Sequence, residues 1–218
     1  MLAHVNGIDL YYEMTGEGRP LVMVHGNGED HTIFNEAAEA LRDRFTCYCV
    51  DSRCHGQSSA TDELHYDDMA EDMVRFLEAL DLRDAVFYGF SDGGIVGLLA
   101  AARCSRITDL IVSGANLTPD GVKLGLRLLI RAMYAFKKDP KLALMLNEPN
   151  IGEDVLGRIR ARTLVLAGSK DLVREAQTRR IAAGIPGAKL QILKGEGHGS
   201  YIVHKTKIAG LIRDFVTG

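Results

Sequence analysis

The stretch Ala85-Val86-Phe87-Tyr88-Gly89-Phe90-Ser91-Asp92-Gly93-Gly94 decides the fold. An apolar run reaches a serine with glycine at i−2 and i+2, and a second apolar run, Ile95 to Ala102, follows. That is the pattern of a strand turning sharply into a helix, a nucleophile elbow that thrusts Ser91 out at the edge of a sheet. So tight a turn forces neighbouring backbones together, so side chains at positions 89 and 93 would clash and the serine itself is strained. The same residues also fit a plain glycine-rich turn with an incidental serine, and the rest of the chain must decide between the two.

Working outward, Ile107 to Ser113 reads as the next strand, ended by Gly114-Ala115-Asn116. Upstream, residues 65–82 form an amphipathic helix with Met69, Met73, Phe76, Leu77 and Leu80 on one face. Before it, Phe45 to Val50 is a strand, and residues 29–44 repeat Ile33, Phe34, Ala37, Ala40 and Leu41 at helical spacing. Pro20 to Val24 is a continuously apolar strand, as expected for one covered on both faces, and it ends at His25-Gly26-Asn27-Gly28. Asn6-Gly7 between short strand-like runs signals a two-residue hairpin. Downstream, residues 117–160 break the alternation with two helices, one after Asp120 and one after Pro140. The first is apolar around much of its circumference, so it is expected to be covered on more than one side, as part of a small cap. A strand at 163–167, a helix at 174–183, a strand at 188–193 and a closing helix at 202–216 complete a single α/β domain over residues 1–218. Alternating strands and helices predict a mostly parallel sheet wrapped on both faces, with its chemistry at the carboxyl ends of the strands.

With 218 residues, 46% hydrophobic, 25% charged and a formal charge of −3, the chain has the composition of an ordinary soluble globular protein. It has no long basic run, and Lys137-Lys138 reads as a solvated helix end, so neither nucleic acid nor a membrane is an expected partner. No apolar run approaches a membrane span and the N-terminus lacks a signal pattern, which points to the cytoplasm. Cysteines 47, 49, 54 and 104 have no C-x-x-C spacing; they are read as buried thiols, with Cys47 and Cys49 taken to face opposite sides of one strand. Seven histidines show no metal-ligand spacing, and Ile95-Val96 stand where a phosphate-binding loop needs lysine and a hydroxyl, so no metal or nucleotide site is expected.

Two further loops follow strands on the serine's edge: Gly168-Ser169-Lys170-Asp171, and Lys194 to Ser200 with Gly197-His198. A serine hydroxyl is a poor nucleophile until an imidazole takes its proton, and the imidazole needs an acid on its other nitrogen. The order Ser91, Asp171, His198 supplies all three at strand ends. The backbone N–H of Asp92, next after the serine, and that of Asn27, in the loop after Val24, are the expected donors to an oxyanion.

Together these motifs, with Asp51-Ser52-Arg53-Cys54-His55-Gly56-Gln57-Ser58, resemble the α/β-hydrolase superfamily over nearly the whole chain. Within it, Phe90 to Ile95 and Ser113 to Asn116 are similar to small serine hydrolases of the biphenyl-hydrolase-like and valacyclovirase group. The resemblance implies an eight-stranded sheet, hydrolysis of a small-molecule ester through an acyl-enzyme, and no cofactor. It also implies that the Asp92 carboxylate selects a substrate amine, beside the plain reading that it favours the positive end of the elbow helix. Cys54 departs from the family's usual glycine, and the cap is short. Met133, Met145 and Leu146 are the candidate substrate contacts from that cap, although helical Met and Leu also serve as plain core. Carbon–carbon bond or lactone hydrolysis and perhydrolysis on the same triad stay open, as does a non-catalytic binder on a hydrolase scaffold.

Overall fold

The protein is described here by a computed structural model covering residues 1–218. Strands β1 (Leu2–Val5) and β2 (Ile8–Thr15) form the expected hairpin. Its turn residues Asn6 and Gly7 sit at φ 49° and 77°, the left-handed pair that matches strand twist. β2 then pairs antiparallel with β4 (Phe45–Val50), and from there every pairing is parallel. The remaining strands are β3 (Arg19–Val24), β5 (Ala85–Phe90), β6 (Ile107–Ser113), β7 (Arg162–Gly168) and β8 (Lys189–Leu193). They complete an eight-stranded sheet in the order β1-β2-β4-β3-β5-β6-β7-β8, the mostly parallel architecture the sequence predicts.

Strand side chains alternate between two cores, as the period of two requires. Val22, Val24, Phe87 and Val165 face one layer, with α2 (Tyr66–Ala79), α3 (Asp92–Ala101) and Ile181 of α7 (Glu175–Gly184). Leu21, Met23, Tyr88 and Leu166 face the other, with α1 (Asn35–Leu41) and α8 (Lys207–Thr217). The central strands are therefore apolar on both faces because both faces are covered.

Several details differ from the sequence reading, among them the closing helix, which begins at Lys207 rather than at 202 because residues 199–204 form turns. Cys47 and Cys49 lie two residues apart, so they share a face and pack into the same core. The helical stretch at 29–44 divides into a 3₁₀ turn, His31–Phe34, and α1; Asp30 ends the preceding loop by accepting the Thr32 N–H at 2.9 Å. Between β6 and β7 lie three helices rather than two: α4 (Leu124–Lys137), α5 (Pro140–Asn147) and the single turn α6 (Glu153–Leu156). Only Ile130 of α4 is buried, so the helix expected to be covered on several sides is covered on one. Its outward face carries exposed leucines and Phe136, with Arg127 and Arg131 beside them. No helix is long and apolar enough to cross a membrane.

Candidate active site

The carboxyl ends of β3, β5, β6, β7 and β8 meet on one edge of the sheet, and the site is built from the loops that leave them. Ser91 stands between β5 and α3 at φ 53° and ψ −113°, a conformation that costs an L-residue on the order of 1–3 kcal/mol. Backbone bonds hold it there: Ser91 N donates to Ser113 O at 2.7 Å, and Gly93 N to His25 O at 3.0 Å. The flanking glycines are steric necessities. A Cβ on Gly89 would lie 2.1 Å from Gly93 O, and one on Gly93 would lie 2.0 Å from Val24 O.

His198, in the loop after β8, places Nε2 3.0 Å from Ser91 Oγ and Nδ1 2.6 Å from Asp171 Oδ1. A carboxylate at Nδ1 fixes the proton there and leaves the Nε2 lone pair facing the hydroxyl. Asp171 itself is buried after β7. Burial pushes its carboxyl up, but the bond from His198 and those from the Val173 and Gly168 N–H groups outweigh this and hold it below the usual range. The imidazole packs against Phe90, ring centroids 4.9 Å apart, and over Gly114 at φ 64°, where a Cβ would lie 2.7 Å from His198 Cε1. The structure thus brings together Ser91, Asp171 and His198 from three loops.

Neither the Asn27 nor the Asp92 N–H donates to any protein acceptor. The Asn27 loop is pinned beside the serine because Gly26 N donates to the Glu29 carboxylate at 3.0 Å. His25 ties the same loop to the end of β4: Nδ1 donates to Gly26 O at 2.7 Å, and Nε2 accepts from Ser52 N at 3.1 Å. Burial pushes His25 down to about 4, so it is neutral at pH 7 and its lone pair is free for that role.

The Asp92 carboxylate is buried; it accepts from Asn27 Nδ2 at 2.9 Å and faces the Tyr66 hydroxyl. Burial raises its pKa against the opposing bonds from Asn27 and Tyr66. Asp92 and Tyr66 line a small, partly open cavity beside Ser91 and His198, with Asn116, Val122, Leu126, Met145, Leu172 and Val173 completing its wall. Of the three cap residues picked from sequence, only Met145 reaches it. Met133 lies on the same side of α4 as Leu126 but seven residues on, ~10 Å along the axis. Leu146, ~100° round α5 from Met145, lines an outer groove with Leu124, Arg127, Leu128 and Arg131.

Cys54 and its neighbour His55 turn to different partners. Cys54 Sγ lies 3.3 Å from Thr61 Oγ1, while His55 Nδ1 donates to Arg53 O at 2.8 Å. Cys54 sits at φ 63°, which is the conformational reason a glycine suits the position. Asp30, His31 and Asp51 cluster as ligand-type groups, but they are bonded locally: Asp51 Oδ1 accepts from both His31 N and Nδ1, and Oδ2 from Gln57 N. Sequence reasoning missed Glu29, Tyr66 and Leu126. Glu29 was legible, as the acid immediately after His25-Gly26-Asn27-Gly28; Tyr66 and Leu126 carry no motif, and only packing brings them to the serine.

A mostly parallel sheet whose carboxyl edge gathers an elbow serine, a buried acid and a histidine in that chain order has the make-up of an α/β-hydrolase enzyme. The model of the alpha/beta hydrolase fold family matches residues 19–137, and the chain belongs to that family. It is 26% identical to the serine hydrolase BPHL of Mus musculus over 245 aligned positions, covering 97% of this chain and 84% of that one. The AB hydrolase superfamily protein YisY of Bacillus subtilis is 28% identical, with 95% of each chain covered. Among solved structures, the esterase EaEST from Exiguobacterium antarcticum superposes with a TM-score of 0.88 at 21% identity, over 100% of this chain and 99% of that one.

Proposed function

We propose that the protein hydrolyses small carboxylic esters through a serine acyl-enzyme, with residues 117–160 serving as a short cap over the acyl pocket. The observation that carries this reading is the hydrogen-bonded chain Ser91 Oγ, His198 Nε2, His198 Nδ1, Asp171 Oδ1, with spacings of 3.0 and 2.6 Å. In this reading Ser91 attacks the ester carbonyl as His198 takes its proton, and Asp171 stabilises the imidazolium that results. The tetrahedral oxyanion is held by the two unengaged N–H groups of Asn27 and Asp92. His198 then protonates the departing alcohol, and a water activated by the same imidazole releases the acid. The named activity of serine hydrolase in the mammalian relative agrees with it.

The Asp92 carboxylate adds a preference for esters carrying an ammonium group. A buried anion on the wall of the cavity attracts a cation and disfavours an anionic acyl group. Labelling with a fluorophosphonate probe tests the whole assignment. Wild type should label and turn over p-nitrophenyl acetate, and Ser91→Ala should lose labelling and on the order of 10⁴-fold or more in turnover. An inert, unlabelled wild type would leave a binding protein on a hydrolase scaffold.

A further inference from the structure

Helix α4 wears its apolar side outward. Leu124, Leu128, Ala132 and Phe136 recur every four residues and so form one ridge along the helix. All four are exposed, Phe136 by 89%, and Leu129 beside them by 55%. The opposite side, Leu126, Ile130 and Tyr134, faces the protein, with Leu126 on the wall of the active-site cavity. An exposed ridge of this kind on a soluble fold marks an interaction surface.

The charge around the ridge identifies what it meets. Residues 121–138 contain Lys123, Arg127, Arg131, Lys137 and Lys138 and no acid, in a chain whose overall charge is −3. Neither Arg127 nor Arg131 takes part in an ion pair, whereas every arginine elsewhere except Arg160 and Arg174 does. Arg127 and Arg131 stand with Leu124, Leu128 and Leu146 around a shallow outer groove, guanidinium beside hydrocarbon. A second copy docking two-fold on this face would set the unpaired Arg127 and Arg131 against a second such pair. Nucleic acid would satisfy the cations but leave the leucines and Phe136 in water. An anionic lipid surface satisfies both, taking the aliphatic ridge among its acyl chains and the cations at its phosphates.

We propose that α4 docks the protein on anionic bilayer surfaces, lying in the interface with Leu128, Leu129 and Phe136 inserted and Arg127 and Arg131 on the headgroup phosphates. The whole-chain charge conceals this site because the acids that outweigh it lie on other faces. Docking leaves the cavity on the protein side of the same helix.

Co-sedimentation of the full chain with vesicles tests it, using phosphatidylcholine alone and phosphatidylcholine with about 30% phosphatidylglycerol. Wild type should partition onto the anionic vesicles about tenfold or more better than onto neutral ones, and about 0.5 M salt should remove most of that gain. Leu128→Ser/Phe136→Ser and Arg127→Gln/Arg131→Gln should each lose about tenfold in partition while keeping the wild-type thermal midpoint, which separates lost docking from lost folding. Equal partition onto both vesicle types overturns the proposal, as does undiminished binding by both double variants. Light scattering that shows a wild-type dimer broken by Leu128→Ser/Phe136→Ser also overturns it, in favour of a second copy on this face.

Discussion

Helices α3 and α4 are both rich in leucine and alanine, yet every residue of α3 is buried and only Ile130 of α4 is. The difference lies in what the chain builds around each. α3 starts at the elbow, is pressed against β5 and β6, and is closed from outside by α2, so its circumference needs no polar residue after Asp92. α4 sits in the segment between β6 and β7, where only the short α5 packs closely on it. An apolar helix is covered only when the fold has an element to spare for each side, and the arginines at 127 and 131 are where the sequence records that α4 has none.

The sharpest way to break this comparison is the same substitution in both helices. Gly93→Ala puts a methyl 2.0 Å from a β3 carbonyl that cannot retreat without disturbing the sheet. It should cost at least ~3 kcal/mol, read as a fall in denaturation midpoint or as insoluble protein. A near-normal midpoint would mean that the elbow is looser than its geometry says. Next in size, Leu98→Ala empties a fully buried site in α3 and should cost about 2–5 kcal/mol, whereas Leu128→Ala should stay within ~0.5 kcal/mol in chemical denaturation. Comparable losses at the two positions would show that α4 is covered in solution.

These contrasts also mark what the sequence made legible. The glycines at 89 and 93 and the residues Ser91, Asp171 and His198 were readable because each answers a local demand: a turn too tight for a side chain, or a group at the end of an apolar strand. The cap contacts were not. Whether Met145 or its neighbour Leu146 meets the cavity depends on how far α5 is rotated, and Met133 falls short because α4 runs past the serine. Tyr66 reaches Asp92 only because α2 begins beside α3, a contact between segments far apart in sequence. The cysteine pair was misplaced for a simpler reason, since residues two apart on a strand share a face.

Asp92 sharpens the comparison from the one charged position in α3. Its folded pKa is raised by burial, so its ionisation costs stability that is intact at low pH and is lost as pH rises from the unfolded value, ~3.9, through the folded one. Asp92→Asn should therefore flatten the fall in stability over that window, followed by thermal midpoints from pH 4 to 8. The same variant should lower kcat/KM for aminoacyl esters about tenfold more than for neutral esters of equal length. Equal losses on both substrates would confine the carboxylate to shaping the turn with Asn27 and Tyr66.

The smallest effect has the opposite sign. Gly125 lies in the first turn of α4, exposed, and a Cβ built there meets nothing within 4 Å. Gly125→Ala removes backbone freedom from the unfolded chain and obstructs nothing in the folded one, so it should stabilise the protein by a few tenths to about 1 kcal/mol. The gain should appear as an upward shift of the denaturation midpoint with an unchanged denaturant slope. A loss instead would require a neighbour over the first turn of α4, and α4 would then be, like α3, a covered helix.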